Sequence, residues 1–252
     1  MKKILSGFFA VSLGCLSLPA FAAGDAVELP EQEWSFDGVF GTYDKASMQR
    51  GFQVYQKVCS ACHSLDLIAF RNLTDLGYNE DEIKAIAAEY TVEDGPNDEG
   101  EMFERAGSAS DRFPAPFPNE KAAASANGGK APPDLSLMAK ARVGGPDYLY
   151  GLLTGYEDAP ADIDVGNLSY NKYFPGHLIS MSPPLFGDDV EYGDGTEATV
   201  EQMATDVSHF LMWAAEPKLE ARKQTGVKVM IFLIIFTLIM YAAKRKAFAK
   251  VH

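Results

Sequence analysis

The sequence Cys59-Ser60-Ala61-Cys62-His63 has the spacing of a c-type haem attachment motif. In such a motif the two thiols add to the vinyl groups of haem, and the histidine supplies an axial nitrogen to the iron. A thioredoxin-like redox pair would need a surrounding βαβ pattern, and a zinc site would need a second cysteine pair; the sequence has neither. We therefore predict one covalently bound haem c, held by Cys59, Cys62 and His63.

The segment before the motif predicts an amphipathic helix. Met48, Phe52 and Tyr55 recur at helical spacing, and the same face continues to the first cysteine of the motif. Asp44 is a suitable N-cap for this helix. Gly51 lies on the apolar side, where the missing side chain leaves room for another helix to approach closely. Small c-type cytochromes begin with a helix of this kind leading into the attachment motif.

The second axial ligand decides between electron transfer and the binding of small molecules at an open iron. The chain has nine methionines and four histidines. Met181 lies in the sequence FPGHLISMSPP (residues 174–184), where the flanking prolines stiffen the chain. His177 in the same sequence is the second candidate. Local sequence alone leaves both of them open, with Met181 preferred.

The amino terminus is typical of a secretory signal peptide. Residues 1–22 begin with Lys2 and Lys3, continue through an apolar run, and end in Pro-Ala-Phe-Ala. We expect cleavage after Ala22 or Ala23, which removes Cys15 and exports the remainder of the chain.

The carboxyl terminus predicts a single membrane anchor. Residues 229–243 carry no charge, and extending the stretch back to Gly226 gives a helix of about 27 Å. Lys244, Arg245 and Lys246 follow it, and basic residues favour the cytoplasmic side. We therefore expect a bacterial inner-membrane protein with a periplasmic haem domain (residues 23–217), a linker and transmembrane helix (residues 218–245) and a cytoplasmic tail (residues 246–252).

The charge is concentrated in the domain expected outside the cytoplasm. The whole chain has 22 basic and 35 acidic residues, a net charge of −13. Residues 23–217 contain 12 basic and 34 acidic residues, a net charge of −22. Such a domain repels nucleic acid and favours a cationic partner. Three acidic runs are candidate docking surfaces: residues 80–82, 98–104 and 188–197.

Periodicity predicts three further helices, over residues 80–90, 147–153 and 199–215. In the third, Thr199 and Gln202 fit a capping box, and we expect this helix to run past Pro217 toward the membrane. Residues 94–127, rich in proline, glycine and acids, are predicted to form an extended surface loop. The predicted fold class is mostly α: a c-type cytochrome haem domain with long loop insertions and one C-terminal transmembrane helix.

Longer stretches of the chain resemble the cytochrome c1 family, the haem c subunit of the cytochrome bc1 complex (ubiquinol–cytochrome c oxidoreductase), of an alphaproteobacterial type. The similar stretches are residues 50–73, 94–119, 131–156, 171–186 and 213–217, in the family's order. The resemblance implies that Met181 is the sixth iron ligand and that Arg142 lies beside a haem propionate. It also implies that Tyr148 lies near that arginine and that Pro133 packs at the haem.

The same resemblance implies a function within a complex. The chain would be an electron carrier without substrate chemistry of its own, serving as the electron-transfer subunit of that oxidoreductase. Electrons would arrive from the Rieske iron–sulfur protein, which takes them from quinol at cytochrome b, and leave to cytochrome c. The complex would be dimeric and contain several subunits. Because no cysteine lies between Cys62 and His252, the loop before Met181 lacks the disulfide of some relatives, and we expect packing alone to hold it.

Two other functions remain as alternatives to this one. An anchored cytochrome c serving a terminal oxidase would share the motif, signal and anchor, but would lack the sequences WAAEP (residues 213–217) and APPDLS (residues 131–136). A haem-based gas sensor or peroxidase would need an iron that Met181 does not occupy.

Overall fold

The computed structural model of this protein describes residues 27–249. The predicted signal peptide, the end of the cytoplasmic tail and His252 lie outside the described residues. The elements in chain order are α1 (Lys45–Lys57), α2 (Glu80–Ala88), β1 (Thr91–Asp94), β2 (Phe103–Ala106), α3 (Glu120–Ala126), α4 (Met138–Ala141), α5 (Pro146–Thr154), β3 (Ser169–Tyr170), β4 (Leu178–Ile179), α6 (Val200–Ala215) and α7 (Leu219–Ala247). Two 3-10 turns, Cys59–Ala61 and Phe70–Leu76, lie between α1 and α2. The predicted mostly α fold class is confirmed.

Helix α1 begins where the sequence predicts and crosses α6 at its glycine. The Asp44 side chain accepts hydrogen bonds from the amides of Ala46 and Ser47. A Cβ atom at Gly51 would lie 2.0 Å from the carbonyl oxygen of Asp206 in α6. The two backbones can approach this closely only because Gly51 has no side chain.

The core between α1 and α6 consists mainly of aromatic side chains. The ring of Phe210 in α6 lies 5.6 Å from that of Phe52 and 5.7 Å from that of Tyr55, both in α1. On the other side, Phe210 contacts Trp213 at 5.6 Å. Helices α4 and α5 also pack on α6. Because Tyr55 lies eight residues before His63 and its hydroxyl donates to the His63 carbonyl at 3.3 Å, this core directly supports the attachment motif.

The predicted loop over residues 94–127 is wrong in part. Strands β1 and β2 form an antiparallel hairpin in which Thr91 opposes Ala106 and Asp94 opposes Phe103. Arg105 fastens it through ion pairs with Asp94 and, at 2.6 Å, with Asp111. Farther along, α3 interrupts the remaining loop. The hairpin has no apolar alternation because neither face is buried, so hydrophobic periodicity could not reveal it.

The chain changes direction between α6 and α7. Helix α6 ends at Ala215, and Glu216 adopts a non-helical conformation (φ −143°, ψ 66°) because the following Pro217 disfavours the helical one. The prediction that this helix continues past Pro217 is therefore wrong. Helix α7 is long and apolar enough to cross a membrane, and its apolar part packs against nothing within the described chain.

The N-terminal end of α6 has half of the predicted capping box. Thr199 accepts a hydrogen bond from the Gln202 amide at 3.1 Å. The Gln202 side chain does not return to Thr199 but donates to the carboxylate of Asp206 at 3.0 Å. Asp206 is fully buried, so a missing hydrogen bond to its carboxylate would cost more free energy than a missing bond at the end of the helix, which water can reach.

Candidate functional site

The attachment motif lies in a tight turn directly after α1. The amides of Cys62 and His63 both donate to the Cys59 carbonyl, at 3.1 and 2.9 Å. Cys59 and His63 are partly buried, whereas Cys62 is exposed. The turn therefore gathers two thiols and one imidazole within five residues at the edge of the core.

The orientation of His63 leaves one ring nitrogen free to bind a metal. Its Nδ1 lies 2.7 Å from the carbonyl oxygen of Pro133. Because a carbonyl can only accept, Nδ1 carries the hydrogen and Nε2 keeps its lone pair. Burial lowers the pKa of His63, which favours the neutral ring that metals require. A histidine held in this way by a backbone carbonyl is the usual arrangement of a metal ligand.

A small network of hydrogen bonds fixes the segment that carries Pro133. The Asp134 carboxylate accepts from the Ser64 hydroxyl at 2.9 Å and from the Asp66 amide at 2.8 Å. The Leu135 amide donates to the Ser64 carbonyl at 3.0 Å. The residues directly after the motif and those around Pro133 thus form one rigid unit. Asp134 was not predicted as a site residue from the sequence, although its position after two prolines is typical of a local hydrogen-bonding turn.

A second group of residues surrounds Met181. The Tyr156 hydroxyl donates to the Met181 carbonyl at 3.0 Å. Burial raises the pKa of Tyr156, with a smaller contribution from the Tyr148 phenol. Burial also raises the pKa of Tyr148, while the nearby Arg142 guanidinium opposes that shift. Tyr156, which was not predicted as a site residue from the sequence, therefore restrains the main chain at Met181.

The surface beside Arg142 has the chemistry that a haem requires. Among residues 27–249 no carboxylate lies within 4.0 Å of the Arg142 guanidinium, so this cation can pair with a propionate. Leu137 and Val143 in the same segment expose 50% and 93% of their surface. An unpaired guanidinium, exposed apolar side chains and the free Nε2 of His63 together fit a haem attached to Cys59 and Cys62.

Hydrogen bonds and an ion pair hold the segment that contains Met181 and the residues after it, in addition to packing. Besides the bond from Tyr156, the Asp189 carboxylate accepts from the Phe186 amide at 2.7 Å. Farther along, Asp194 pairs with Arg50 of α1 at 2.8 Å. The expectation that packing alone holds the loop before Met181 is wrong, because hydrogen bonds also tie that loop to α5 and the residue after it. The buried Asn171 side chain donates to the Leu152 carbonyl at 2.7 Å, and the Lys172 amide donates to the Gly155 carbonyl at 3.0 Å.

The two other histidines in the described chain have structural surroundings. His177 has a φ of 63°, and its ring stacks on Tyr170 at 5.6 Å. His209 in α6 has its two ring nitrogens 3.3 Å from Ser35 Oγ and from the Thr205 carbonyl. Because each ring nitrogen of His209 already has a polar neighbour inside the core, neither is free to bind a metal, and the side chain has a structural role.

The surroundings of the cysteines argue against the two rival interpretations of the motif. Burial, with a smaller contribution from Cys62, raises the pKa of the Cys59 thiol to about 12, whereas a redox-active cysteine needs a lowered pKa. Within residues 27–249 no group of three or more His, Cys, Asp and Glu side chains could hold a metal ion, so a zinc site has no ligand set.

Comparisons with known proteins identify the family. Residues 34–251 match the cytochrome C1 family. The chain is 51% identical over 235 residues to "Cytochrome c1" of Rhodospirillum rubrum, covering 86% of both proteins. It is 52% identical to "Cytochrome c1 1, heme protein, mitochondrial" of Arabidopsis thaliana, covering 92% of this chain and 77% of the relative. It is 50% identical to the "Cytochrome b-c1 complex catalytic subunit, mitochondrial" of Candida albicans, covering 89% of this chain and 78% of the relative.

Proposed function

The chain belongs to the cytochrome c1 family, and from this premise we propose that it passes single electrons within a quinol–cytochrome c oxidoreductase. The cofactor of the family is a c-type haem, and the relatives support a place in a cytochrome bc1 complex. The observation that carries the proposal is the His63 ring, whose Nδ1 is fixed 2.7 Å from the Pro133 carbonyl so that Nε2 is free.

The residues of the attachment motif and those around Met181 and Arg142 would hold different parts of the haem. Cys59 and Cys62 would form the thioether bonds, and His63 and Met181 would provide the axial nitrogen and sulfur. Arg142 would pair with a propionate. When bound, the haem supplies a one-electron couple between ferrous and ferric iron, and a thioether ligand raises its potential.

The remaining side chains would support this arrangement. Tyr148 would lie near Arg142, and Pro133 would orient His63 while lying against the haem. Tyr156 would restrain the backbone of Met181. With both axial positions occupied, the protein would exclude oxygen and other small ligands, as an electron carrier requires.

We further propose how the chain is arranged in the membrane. After removal of residues 1–22, residues 23–217 would form the haem domain in the periplasm of a bacterium. Residues 218–245 would provide the linker and the single membrane-spanning helix, consistent with the length and composition of α7. The basic residues after α7 favour a cytoplasmic C-terminus.

The partners would be cytochrome b, the Rieske iron–sulfur protein and cytochrome c, in a dimeric complex. The Rieske protein would deliver the electron and cytochrome c would remove it. A weak electrostatic contact with a basic cytochrome c suits the net charge of −22 on residues 23–217.

The acidic runs differ in how many of their charges are free for a partner. In residues 80–82, Asp81 pairs with Lys84 and Glu82 caps the start of α2. In residues 188–197, Asp189 accepts from backbone amides and Asp194 pairs with Arg50.

The acids between β1 and β2 have no such structural role. Asp98, Glu99 and Glu101 are exposed, as is Glu104 within β2, and none of them has a basic partner within 4.0 Å among the described residues. We therefore assign the docking of a basic cytochrome c to this β1–β2 loop.

The experiment that tests the iron ligation is the visible and near-infrared spectrum of the full-length holoprotein with Met181→Leu. Loss of the weak near-infrared band of the oxidised form, together with a lower potential, is expected if Met181 is an iron ligand. Met48→Leu is the matched control, because Met48 is buried in α1 and should leave the spectrum unchanged.

An unchanged spectrum in the Met181→Leu variant would refute the ligand assignment and make His177 the next candidate. Carbon monoxide binding to the unsubstituted reduced protein would favour a sensor or peroxidase instead. Electron delivery to a terminal oxidase without quinol oxidation would favour the anchored cytochrome c.

A further inference from the structure

The turn formed by residues 35–42 presents two apolar side chains to the outside of the domain. The Thr42 amide donates to the Ser35 carbonyl at 3.0 Å and closes the base of the turn. At the tip, Val39 and Phe40 expose 62% and 83% of their surface. Two neighbouring apolar side chains this exposed indicate a contact with something outside the chain.

The base of the turn packs inside the core. Trp34 and Phe36 are buried and stack on each other at 5.6 Å. Both rings also contact His209 of α6, at 5.0 and 5.2 Å. The exposed tip is therefore the end of a rigid feature, and the exposure of Phe40 is built into the fold.

Helix α7 is fastened to the same turn. The Lys223 ammonium donates to the carbonyls of Phe36 and, at 3.3 Å, of Gly41. Glu220, nearly one helical turn earlier, accepts from the Tyr43 amide at 2.8 Å. Because these contacts involve the backbone of the turn and the first turns of α7, the tip and the helix keep a fixed relative position.

The tip lies beside the start of the apolar part of α7. A groove of about 380 Å³ separates them and is lined by Val39, Phe40, Gln224, Val227 and Lys228, among others. The uncharged stretch of α7 begins at the next residue, Val229. With a rise of about 1.5 Å per residue, Val227 lies about 6 Å along the axis from Lys223, close to the thickness of one layer of lipid headgroups.

We propose that Val39 and Phe40 insert into the bilayer interface beside α7 and form a second membrane contact of the haem domain. The proposal rests on α7 being the membrane anchor. Phenylalanine is among the side chains that enter the boundary between headgroups and acyl chains, and a lipid chain can fill the groove against Val227. The contact is continuous with the anchor itself, which favours lipid over another protein as the occupant.

The charge around the groove fits lipid headgroups. Between residues 218 and 228 the chain has four basic residues and one acidic residue, whereas the rest of the domain is strongly acidic. Lysines at this level can reach the phosphates while their carbon chains lie along apolar groups. A domain that touches the bilayer at the tip as well as at α7 would resist tilting relative to the membrane plane, so its haem would stay at a fixed height above the membrane.

The proposal is tested by tryptophan quenching in the full-length holoprotein with Phe40→Trp. The protein is placed in nanodiscs of phosphatidylcholine with or without bromine on the upper part of the acyl chains. The added emission, measured relative to the unsubstituted protein, should fall at least several-fold in brominated lipid. Phe186→Trp is the matched control, because Phe186 is 77% exposed but does not line the groove beside α7, and its emission should not change.

A third variant separates this proposal from the membrane anchor. Phe236→Trp lies within the apolar part of α7 and should be quenched if α7 spans the bilayer. Quenching of Phe236→Trp without quenching of Phe40→Trp would overturn the second contact and leave the anchor intact. The same measurement in the assembled complex gives a further test: persistent quenching of Phe40→Trp supports lipid contact, and its loss would show that another subunit covers the tip and would overturn the proposal.

Discussion

The phenolic hydroxyl of Tyr156 donates a hydrogen bond of 3.0 Å to the backbone carbonyl of Met181. A side chain just after α5 thereby holds the main chain of the proposed iron ligand, although 25 residues separate the two in sequence. Since this segment has no disulfide, this bond is a direct restraint on the position of Met181.

Removing this hydrogen bond should weaken the binding of Met181 to the iron without abolishing it. For Tyr156→Phe we expect Met181 to remain the ligand in cold neutral solution but to leave the iron at a lower temperature, because a buried hydrogen bond contributes about 1 kcal/mol. The near-infrared band recorded against temperature measures this change. Tyr150→Phe, in the neighbouring α5, is the control, since the described chain gives its hydroxyl no hydrogen bond. Identical melting of the band in both variants would contradict the restraint.

The crossing of α1 and α6 should not tolerate a side chain at Gly51. Alanine is favoured over glycine inside a helix by about 0.5–1 kcal/mol, but a Cβ here would lie 2.0 Å from the Asp206 carbonyl. We therefore expect Gly51→Ala to lower the free energy of unfolding by about 2 kcal/mol or more. Denaturant unfolding of the haem domain measures the effect. Gly226→Ala in α7, where a Cβ meets nothing within 4 Å, should not lower that stability.

The free energy of unfolding should fall at low pH, in part because Asp194 in the segment after Met181 becomes protonated. The Thr196 amide, followed by the Arg50 guanidinium, lowers the pKa of Asp194 from 3.8 to about 2. A carboxylate with a lowered folded-state pKa contributes stability that is present above about pH 4 and is lost as the pH falls through about 2. The free energy of unfolding should therefore fall over this window, and the fall should be shallower in Asp194→Asn. An unchanged slope in that variant would rule out this carboxylate as a source of the acid sensitivity.

The β1–β2 loop should control the reaction with a basic cytochrome c. Neutralising Asp98, Glu99 and Glu101 to their amides should slow oxidation at low salt and weaken its dependence on ionic strength, because exposed charges steer association over distances that salt screens. Stopped-flow oxidation at several salt concentrations measures both effects. Neutralising Glu80, Asp81 and Glu82 removes the same number of charges and is the matched control, and an equal effect there would refute the assignment to the loop. A rate that is insensitive to salt in the unsubstituted protein would refute steering altogether.

Features with a strong local cause were predictable from the sequence. Asp44 caps α1 as expected, because its side chain needs only the next few amides. The apolar face of α6 follows from helical periodicity, and Gly51 was identified as a point of close approach. Two elements differed from the prediction for different reasons. The β1–β2 hairpin has no buried face, so hydrophobic periodicity could not reveal it. The turn before α7 follows from Pro217, which disfavours the helical conformation of Glu216 and was a local signal against a continuous helix.

The sequence by itself determined the haem motif, the long apolar helix, the principal helices and the family, because each depends on residue types at fixed local spacing. Tertiary structure alone decided which groups meet. It placed the Pro133 carbonyl on His63, the Tyr156 hydroxyl on Met181, and Arg50 on Asp194. Such contacts join residues that are distant in the chain, and the packing of α1, α5 and α6 determines which of them come within hydrogen-bonding distance.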